Sequence, residues 1–397
     1  MPHYRYLIVG GGIAADAAIR SLLEVDPQAD IGLIGDEPHP PHNRPPLSKG
    51  LWRGKPLDKI WRGTPTDRVA MHLGRHAVGL DPKGKTVTDD RGMRHEFDKL
   101  LLATGGTPRK LPFDAPAVIY YRTLDDYHQL RQQAERGSRF AVVGGGFIGS
   151  EMAAALASLG KSVTLIFPEM GIGARLFPED LARFLNRYYT EKGVEVLPGR
   201  LLVGARTEGE GLRLTLRRAA DGDSLERVVD GVVAGLGIDP NASLARTAGL
   251  AVGGGILVDE FLQTSHPDML AAGDVAEFPN LVLGKLQRVE HEDNALTMGR
   301  VAGRNMAGER TPYHHLPYFY SDLFDLGYEA VGELDARLQT VVDWQEPNRK
   351  GVIYYLQDER VRGVLLWNVW DQVDAARALI AEPGPHHPEA LKGRLPA

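Results

Sequence analysis

The chain of 397 residues contains no cysteine. That absence excludes structural disulfides, iron–sulfur ligation, zinc sites built on thiolates and any redox-active disulfide. Redox chemistry, where present, must therefore run through a bound organic cofactor. No apolar run approaches the roughly 20 residues that a bilayer helix needs. Nor is one sign of charge in large excess: the formal net charge is −6 with both signs interspersed, which gives no footprint for nucleic acid or an anionic membrane. The opening residues, Met1-Pro2-His3-Tyr4-Arg5-Tyr6, run straight into a strand pattern without a signal or transit segment, so a cytoplasmic location is expected. A chain of this length should hold two or three domains.

What the chain does have is glycine placed at strand-to-helix turns. In its middle, Val142-Val143 runs into Gly144, Gly146 and Gly149, and a small-residue run from Met152 to Leu159 follows. The first glycine permits a tight turn, the second lets the backbone approach a pyrophosphate, and the third lets helix and strand pack closely. N–H groups at the helix start then face the anion. Such a turn can also be purely structural, but the chain opens with a second copy. Tyr6-Leu7-Ile8-Val9 ends in Gly10-Gly11-Gly12-Ile13-Ala14-Ala15, where Ala15 occupies the third position, a permitted substitution, and a helix over Asp16 to Leu23 follows. Two dinucleotides are the natural reading.

Each copy has its own acidic residue beyond the next strand. Ile31-Gly32-Leu33-Ile34-Gly35 ends at Asp36-Glu37, about 20 residues past the glycines, where a carboxylate can accept from an adenosine ribose; a solvated acidic turn is the alternative. Ser162 to Phe167 ends at Pro168-Glu169. A carboxylate there accepts from a 2′-hydroxyl and repels a 2′-phosphate, which favours NAD over NADP, with Arg175 as the nearest candidate phosphate partner. Between the two copies, the stiff proline-rich loop Pro38 to Lys49 holds Arg44 and Lys49, suited to anion binding and flavin contact or simply solvated.

The remaining stretches fill out the architecture. Turn and strand signals run from Val78 to Thr88, an apolar strand ends in Ala103-Thr104-Gly105-Gly106, and Tyr120-Tyr121-Arg122 precedes a helix over Asp125 to Arg136. The helix Glu179 to Lys192 shows a 3.6-residue rhythm, and strands follow near Val194 to Leu197 and Leu212 to Leu216. After Gly237 the chain is expected to return to its first domain. There Gly273-Asp274 places a carboxylate at the end of a strand, where ligands sit in open α/β folds and where a ribityl chain would fit. From Pro312 the pattern turns to antiparallel strands and a helix over Asp371 to Ala381. The breaker-rich segment Pro383 to Pro388 is expected to be a mobile tail, and its His386-His387 pair is not taken as a metal site. No metal is expected.

Several of these stretches coincide with one family. The chain resembles the FAD- and NAD(P)-dependent reductases of the glutathione-reductase-like superfamily, in the branch that holds oxygenase-coupled ferredoxin reductases and apoptosis-inducing factor. The resemblance rests on Gly10 to Ala15, Arg44-Pro45-Pro46-Leu47-Ser48-Lys49, Ala103 to Arg109, Gly144 to Glu151 and Ala272-Gly273-Asp274. Phe167-Pro168-Glu169, Arg288 to Asp293, Ser321-Asp322-Leu323, Gly327 to Gly332 and Val364 to Asn368 lie closer still to apoptosis-inducing factor. It implies an α/β fold of two Rossmann-like dinucleotide-binding domains plus a C-terminal α+β domain: residues 1–114 and 236–311 for FAD, 115–235 for NAD, and 312–397 at the C-terminus.

The resemblance also implies roles. FAD contacts fall to Gly10, Gly12, Ala15, Asp36, Arg44, Lys49, Arg122 and Asp274, with Glu37, Val78, Thr104 and Gly105 counted in the cofactor-binding set. NAD contacts fall to Gly144, Gly146, Phe147, Ile148, Gly149, Glu169 and Gly237. Lys49 is expected to pair with Glu151 beside flavin N5, where a cation stabilises the anionic reduced flavin and the carboxylate positions it; an ordinary interdomain salt bridge is the bland alternative. Glu290 and His291 are expected near the isoalloxazine, and Tyr320 against the flavin or nicotinamide. Relatives usually carry tryptophan at that last position, so a core aromatic is the competing reading of Tyr320. The implied activity is hydride transfer from NADH to flavin N5, with electrons leaving for an external acceptor: a ferredoxin or rubredoxin, a quinone or dioxygen. A dedicated ferredoxin or rubredoxin reductase and a slow NADH-sensing module are the alternatives, and a homodimer is compatible with each. Nuclear or apoptotic roles are not carried over with the fold.

Overall fold

The computed structural model describes residues 1–209 and 211–396, and the chain divides into two compact units. Unit 1 comprises Met1–Asn43, Leu57–Thr107 and Asp239–Tyr318; unit 2 comprises Arg44–Pro56, Pro108–Ile238 and Phe319–Ala397. Among the described residues, no helix is long and apolar enough to cross a membrane.

Unit 1 is built on a seven-stranded sheet. The apolar strand His3–Val9 lies between Ile31–Gly35 and Arg94–Leu102, parallel to both. Val69–Leu73 extends the sheet on one side, and the antiparallel strands Thr86–Asp89 and Ala77–Asp81 extend it on the other. Met269–Ala271 pairs in parallel with Leu100 to Leu102, which brings the late part of the chain back to the first sheet. Leu7, Ile8, Leu33, Leu100, Leu101 and Leu102 are buried; with both faces covered, these strands read as near-continuous apolar runs rather than alternating ones. The helices Ile13–Val25 and Glu292–Met306 pack closely because the second presents glycines: a Cβ on Gly299 would lie 2.3 Å from the Ala14 carbonyl oxygen.

Unit 2 repeats the theme with a five-stranded parallel sheet ordered Val194–Pro198, Ser162–Phe167, Arg139–Val143, Gly231–Ala234 and Val118–Tyr120. A three-stranded antiparallel sheet, Arg200–Glu208, Gly211–Arg218 and Ser224–Val229, covers one side through Leu202, Leu212, Leu214 and Leu216. Two of its strands carry no clear pattern in the sequence. Their outer faces are polar, with Arg213 paired to Glu208 and lying 2.8 Å from Glu226. The C-terminal sheet is antiparallel, in the order Tyr318–Leu323, Leu326–Gly332, Arg360–Trp367, Lys350–Gln357 and Gln339–Glu346, with the helix Val373–Ala381 burying Ala376, Leu379 and Ile380. Beyond it the breaker-rich segment leads to side chains that are buried: Leu391 and Leu395 are covered, and Leu395 N–H donates to the Tyr354 hydroxyl at 3.2 Å. The chain thus carries the two dinucleotide-binding folds plus a C-terminal antiparallel sheet domain, as the resemblance implied.

Candidate functional site

Both glycine turns fit a pyrophosphate. Gly10 has φ +121° and Gly144 φ +115°, and a Cβ at either would lie 2.0 Å from the Ala103 oxygen or 2.3 Å from the Gly235 oxygen. Gly12 and Gly146 are the N-caps of Ile13–Val25 and Phe147–Ser158; neither helix start has a side-chain cap, and a Cβ at either glycine would meet nothing within 4 Å. Each turn therefore leaves backbone donors at a helix N-terminus beside open space, the shape and polarity that a phosphate fills. At the third position the copies differ. A Cβ on Gly149 would be 1.8 Å from the Gly144 oxygen, whereas Ala15 is accommodated in the core. Behind the first turn, the buried Asp16 carboxylate accepts from Arg62 Nε and Thr64 Oγ1, both at 2.6 Å, which fixes the helix start.

The other N-terminal candidates lie in the same unit. Asp274 lies in the single turn Gly273–Val275, its backbone oxygen accepting from Arg288 Nη1 at 3.0 Å. Thr104 Oγ1 donates to the Asn241 oxygen at 2.8 Å, and the Gly105 oxygen accepts from Asn241 N–H at 3.0 Å. Asp36 is exposed, 3.2 Å from His76 Nδ1, and Glu37 is partly covered, 3.9 Å from His42 Nε2. Val78 stands exposed on the outer strand of the sheet. Glu290 pairs with Arg288 at 2.6 Å, and His291 is the N-cap of Glu292–Met306.

In unit 2, Phe147 and Ile148 open the helix after the second turn, and Phe147 meets Phe319 edge-on at 5.4 Å. The Gly237 oxygen accepts from Arg109 N–H at 2.9 Å. Glu169 is held by Arg175, with Oε1 2.8 Å from Nε and 2.6 Å from Nη2. The arginine that could have bound a phosphate thus faces the carboxylate. Next to Gly144 opens an apolar cleft of about 370 Å³ lined by Leu111, Phe113, Phe167, Pro168, Leu202 and Leu236. Its lining from Leu111 and Leu202 has no motif and is not predictable from the sequence.

A buried polar cluster lies in unit 2, at the end of the proline-rich loop. Pro45–Leu47 forms one 3-10 turn, and the Leu47 carbonyl accepts from Trp52 Nε1 at 2.7 Å and from the Tyr121 hydroxyl at 2.5 Å. Burial pushes the Tyr121 hydroxyl far above its ordinary pKa, so it stays a donor. Arg44 Nη1 donates to the Arg122 carbonyl at 2.9 Å; Arg122 N–H donates in turn to the Asp126 carboxylate, which also forms the capping box with Thr123. The loop so clamped delivers Lys49 Nζ to 2.7 Å from Glu151 Oε1, with the carboxylate side chain 3% exposed. Ser48 Oγ donates to Oε2 and Ser321 Oγ to Oε1, each at 2.6 Å. The Tyr320 ring centroid is 5.2 Å from Lys49 Nζ, a cation–π distance. The two serines carry no signal of their own in the sequence, although both lie in stretches that carry the resemblance.

Two glycine turns, each between a parallel strand and a helix, with a loop-borne lysine on a buried glutamate and no cysteine, fit a protein that binds two dinucleotides. A model of the pyridine nucleotide-disulphide oxidoreductase family matches residues 4–299, and the chain belongs to that family. A model of the C-terminal domain of mitochondrion-associated apoptosis-inducing factor matches residues 302–349 and 342–382. The chain is 35% identical to mitochondrial apoptosis-inducing factor 1 of Dictyostelium discoideum over 95% of its own length and 78% of that protein. It is 34% identical to the ferredoxin–NAD(+) reductase component of the anthranilate 1,2-dioxygenase system of Burkholderia cepacia, covering 97% of this chain and 96% of that one. Among solved structures, the reductase in a covalent putidaredoxin reductase–putidaredoxin complex aligns with a TM-score of 0.89 at 29% identity, over 98% of this chain and 96% of that chain. The chain is an FAD-dependent oxidoreductase that takes a hydride from NADH and passes electrons to an external acceptor. Lacking cysteine, it does so without the disulphide in the family's name.

Proposed function

We propose that the chain is an NADH-preferring reductase of a ferredoxin-type protein, with the first glycine turn holding FAD and the second holding NADH. The observation that carries this reading is the Lys49–Glu151 pair at 2.7 Å on a clamped loop, in a chain with no thiol to relay electrons. FAD supplies the acceptor atom for hydride and the store from which electrons leave. Lys49 supplies positive charge for the reduced form, Glu151 holds the ammonium in place, and Tyr320 covers it. Gly10, Gly12, Ala15, Asp36, Glu37, Arg44, Val78, Thr104, Gly105, Arg122 and Asp274 serve FAD, with Glu290 and His291 at its ring system. Gly144, Gly146, Phe147, Ile148, Gly149 and Gly237 serve NADH. Glu169 accepts from the ribose hydroxyl, and the cleft beside Gly144 takes the adenosine. The working domains are residues 1–114 with 236–311 for FAD, 115–235 for NADH, and 312–397. The protein acts in the cytoplasm, and as an assembly a homodimer is proposed, which sedimentation of the FAD-loaded protein reads directly.

The ferredoxin-type acceptor is supported by the names of the Burkholderia relative and of the putidaredoxin complex. The match of the C-terminal residues to apoptosis-inducing factor favours a second reading, a slow NADH sensor. Anaerobic reduction by NADH followed by mixing with ferredoxin, rubredoxin, quinone or oxygen separates them. Fast reoxidation by ferredoxin supports the first; a persistent reduced flavin with NAD bound supports the second and sinks the first.

A further inference from the structure

The Glu151 carboxylate sits in the first helical turns after the second glycine motif, and both of its oxygens accept hydrogen bonds. Oε2 takes the Ser48 hydroxyl, and Oε1 takes both the Ser321 hydroxyl at 2.6 Å and the Lys49 ammonium at 2.7 Å. Ser321 is completely buried, on the strand Tyr318–Leu323. Three tyrosine hydroxyls also feel this carboxylate: Tyr121, Tyr189 and Tyr328. Burial pushes all three upward, with the Glu151 charge the next cause for Tyr189 and Tyr328 and a lesser one, after Tyr127 and Asp126, for Tyr121, so they stay neutral and add no further negative charge. Tyr189 spends its hydroxyl on the Ser150 oxygen at 3.0 Å, Tyr121 on the Leu47 oxygen, and Tyr328 shares a hydrogen bond with the Ser321 side chain. The donors that hold Glu151 are thus one ammonium and two serine hydroxyls.

We infer that Ser321 is a positioning residue for the Lys49–Glu151 pair: by pinning Oε1, it fixes the point at which the ammonium stands. This inference rests on the reading that Lys49 tunes the flavin. One dipeptide serves both partners, since Tyr320 lays its ring near the lysine while Ser321 bonds the glutamate. Without the Ser321 hydroxyl, Oε1 is held by Lys49 alone. The carboxylate turns about its last torsion, and the ammonium moves with it. A point charge acts on its surroundings as 1/r, so a displaced or spread ammonium stabilises the reduced flavin less.

The test uses the FAD-loaded full chain and compares S321A, S321T, K49M and the S321A/K49M double variant. The readouts are the flavin midpoint potential and the rate of flavin reduction by NADH. S321A should lower both in the same direction as K49M, the rate by roughly threefold to tenfold, the span expected for one hydrogen bond. S321T, which keeps the hydroxyl, should restore them, and S321A should add nothing in the K49M background. Should S321A lose FAD on purification, Ser321→Cys, which keeps the size but replaces the hydroxyl by a weak donor, carries the same comparison. An unchanged potential in S321A beside a shifted one in K49M overturns the inference and leaves the role of Lys49 standing. An S321A effect of equal size in both backgrounds marks a merely structural serine and also overturns it. A K49M variant that matches the parent removes the underlying reading itself.

Discussion

At the scale of residues, charge placement does most of the explaining. Lys49 and Glu151 lie far apart in sequence, and nothing in composition or periodicity joins them; only the resemblance did so, and the fold brings them to 2.7 Å. Removing the cation by Lys49→Met should slow flavin reduction by NADH about tenfold or more and lower the flavin potential, the size expected for one charged hydrogen bond; unchanged stopped-flow rates would refute the role. Glu169 shows what the sequence leaves open. Its place after the strand was legible, but its bond to Arg175 depends on the local chain path. With the arginine freed in Glu169→Ala, preference for NADH over NADPH should fall by about tenfold to a hundredfold in kcat/KM, the worth of a hydrogen bond to a charged group. A second carboxylate reports on stability. Lys85 and then Lys99 draw Asp268 down to about 2, which ties the strand Arg94–Leu102 to the start of Met269–Ala271. A depressed carboxyl contributes fully above its unfolded value near pH 4 and loses that contribution as pH falls toward 2. Partly exposed lysines limit the effect to about 1 kcal/mol. Asp268→Asn should therefore cost stability at pH 7 and flatten the dependence of Tm on pH between about 4 and 2.

Among elements, the strand–glycine–helix units were the most legible, because both period and turn chemistry are written locally. The predicted helix over Asp16 to Leu23 spans Ile13–Val25, and that over Glu179 to Lys192 spans Glu179–Glu191. The antiparallel strands Arg200–Glu208 and Ser224–Val229 were not legible, since their apolar face is sparse and charged pairs such as Arg213–Glu226 hold the outer one. Neither was the clamp on the proline-rich turn: proline content marks stiffness, but of the two donors to Leu47, Trp52 comes from the next 3-10 turn and Tyr121 from far along the chain. The two glycine turns should also separate by mutation. Gly149→Ala places a Cβ 1.8 Å from the Gly144 oxygen, so the second turn must open. The variant should keep its FAD, seen as flavin absorbance of the purified protein, and lose saturable reduction by NADH. A variant with the parent's KM for NADH would contradict the assignment of that turn.

Over the whole molecule, fold and class could be read early, while the acceptor could not. Two glycine motifs, the Pro-Pro-Leu-Ser-Lys run and the return of the chain at Ala272-Gly273-Asp274 outlined both dinucleotide-binding folds, because each is set by short, local chemistry. The partner is set by a surface, whose charges are scattered along the sequence and have no motif. The absence of cysteine narrows the route: electrons entering from NADH leave from the flavin itself. The central claim is that NADH reduces a flavin bound to this chain. An anaerobic titration of the FAD-loaded protein with NADH, followed at the flavin absorbance band, tests it most directly. Full bleaching is expected at about one equivalent of NADH, the two-electron stoichiometry of hydride transfer, with far slower bleaching by NADPH. A flavin that stays oxidised under excess NADH would contradict it.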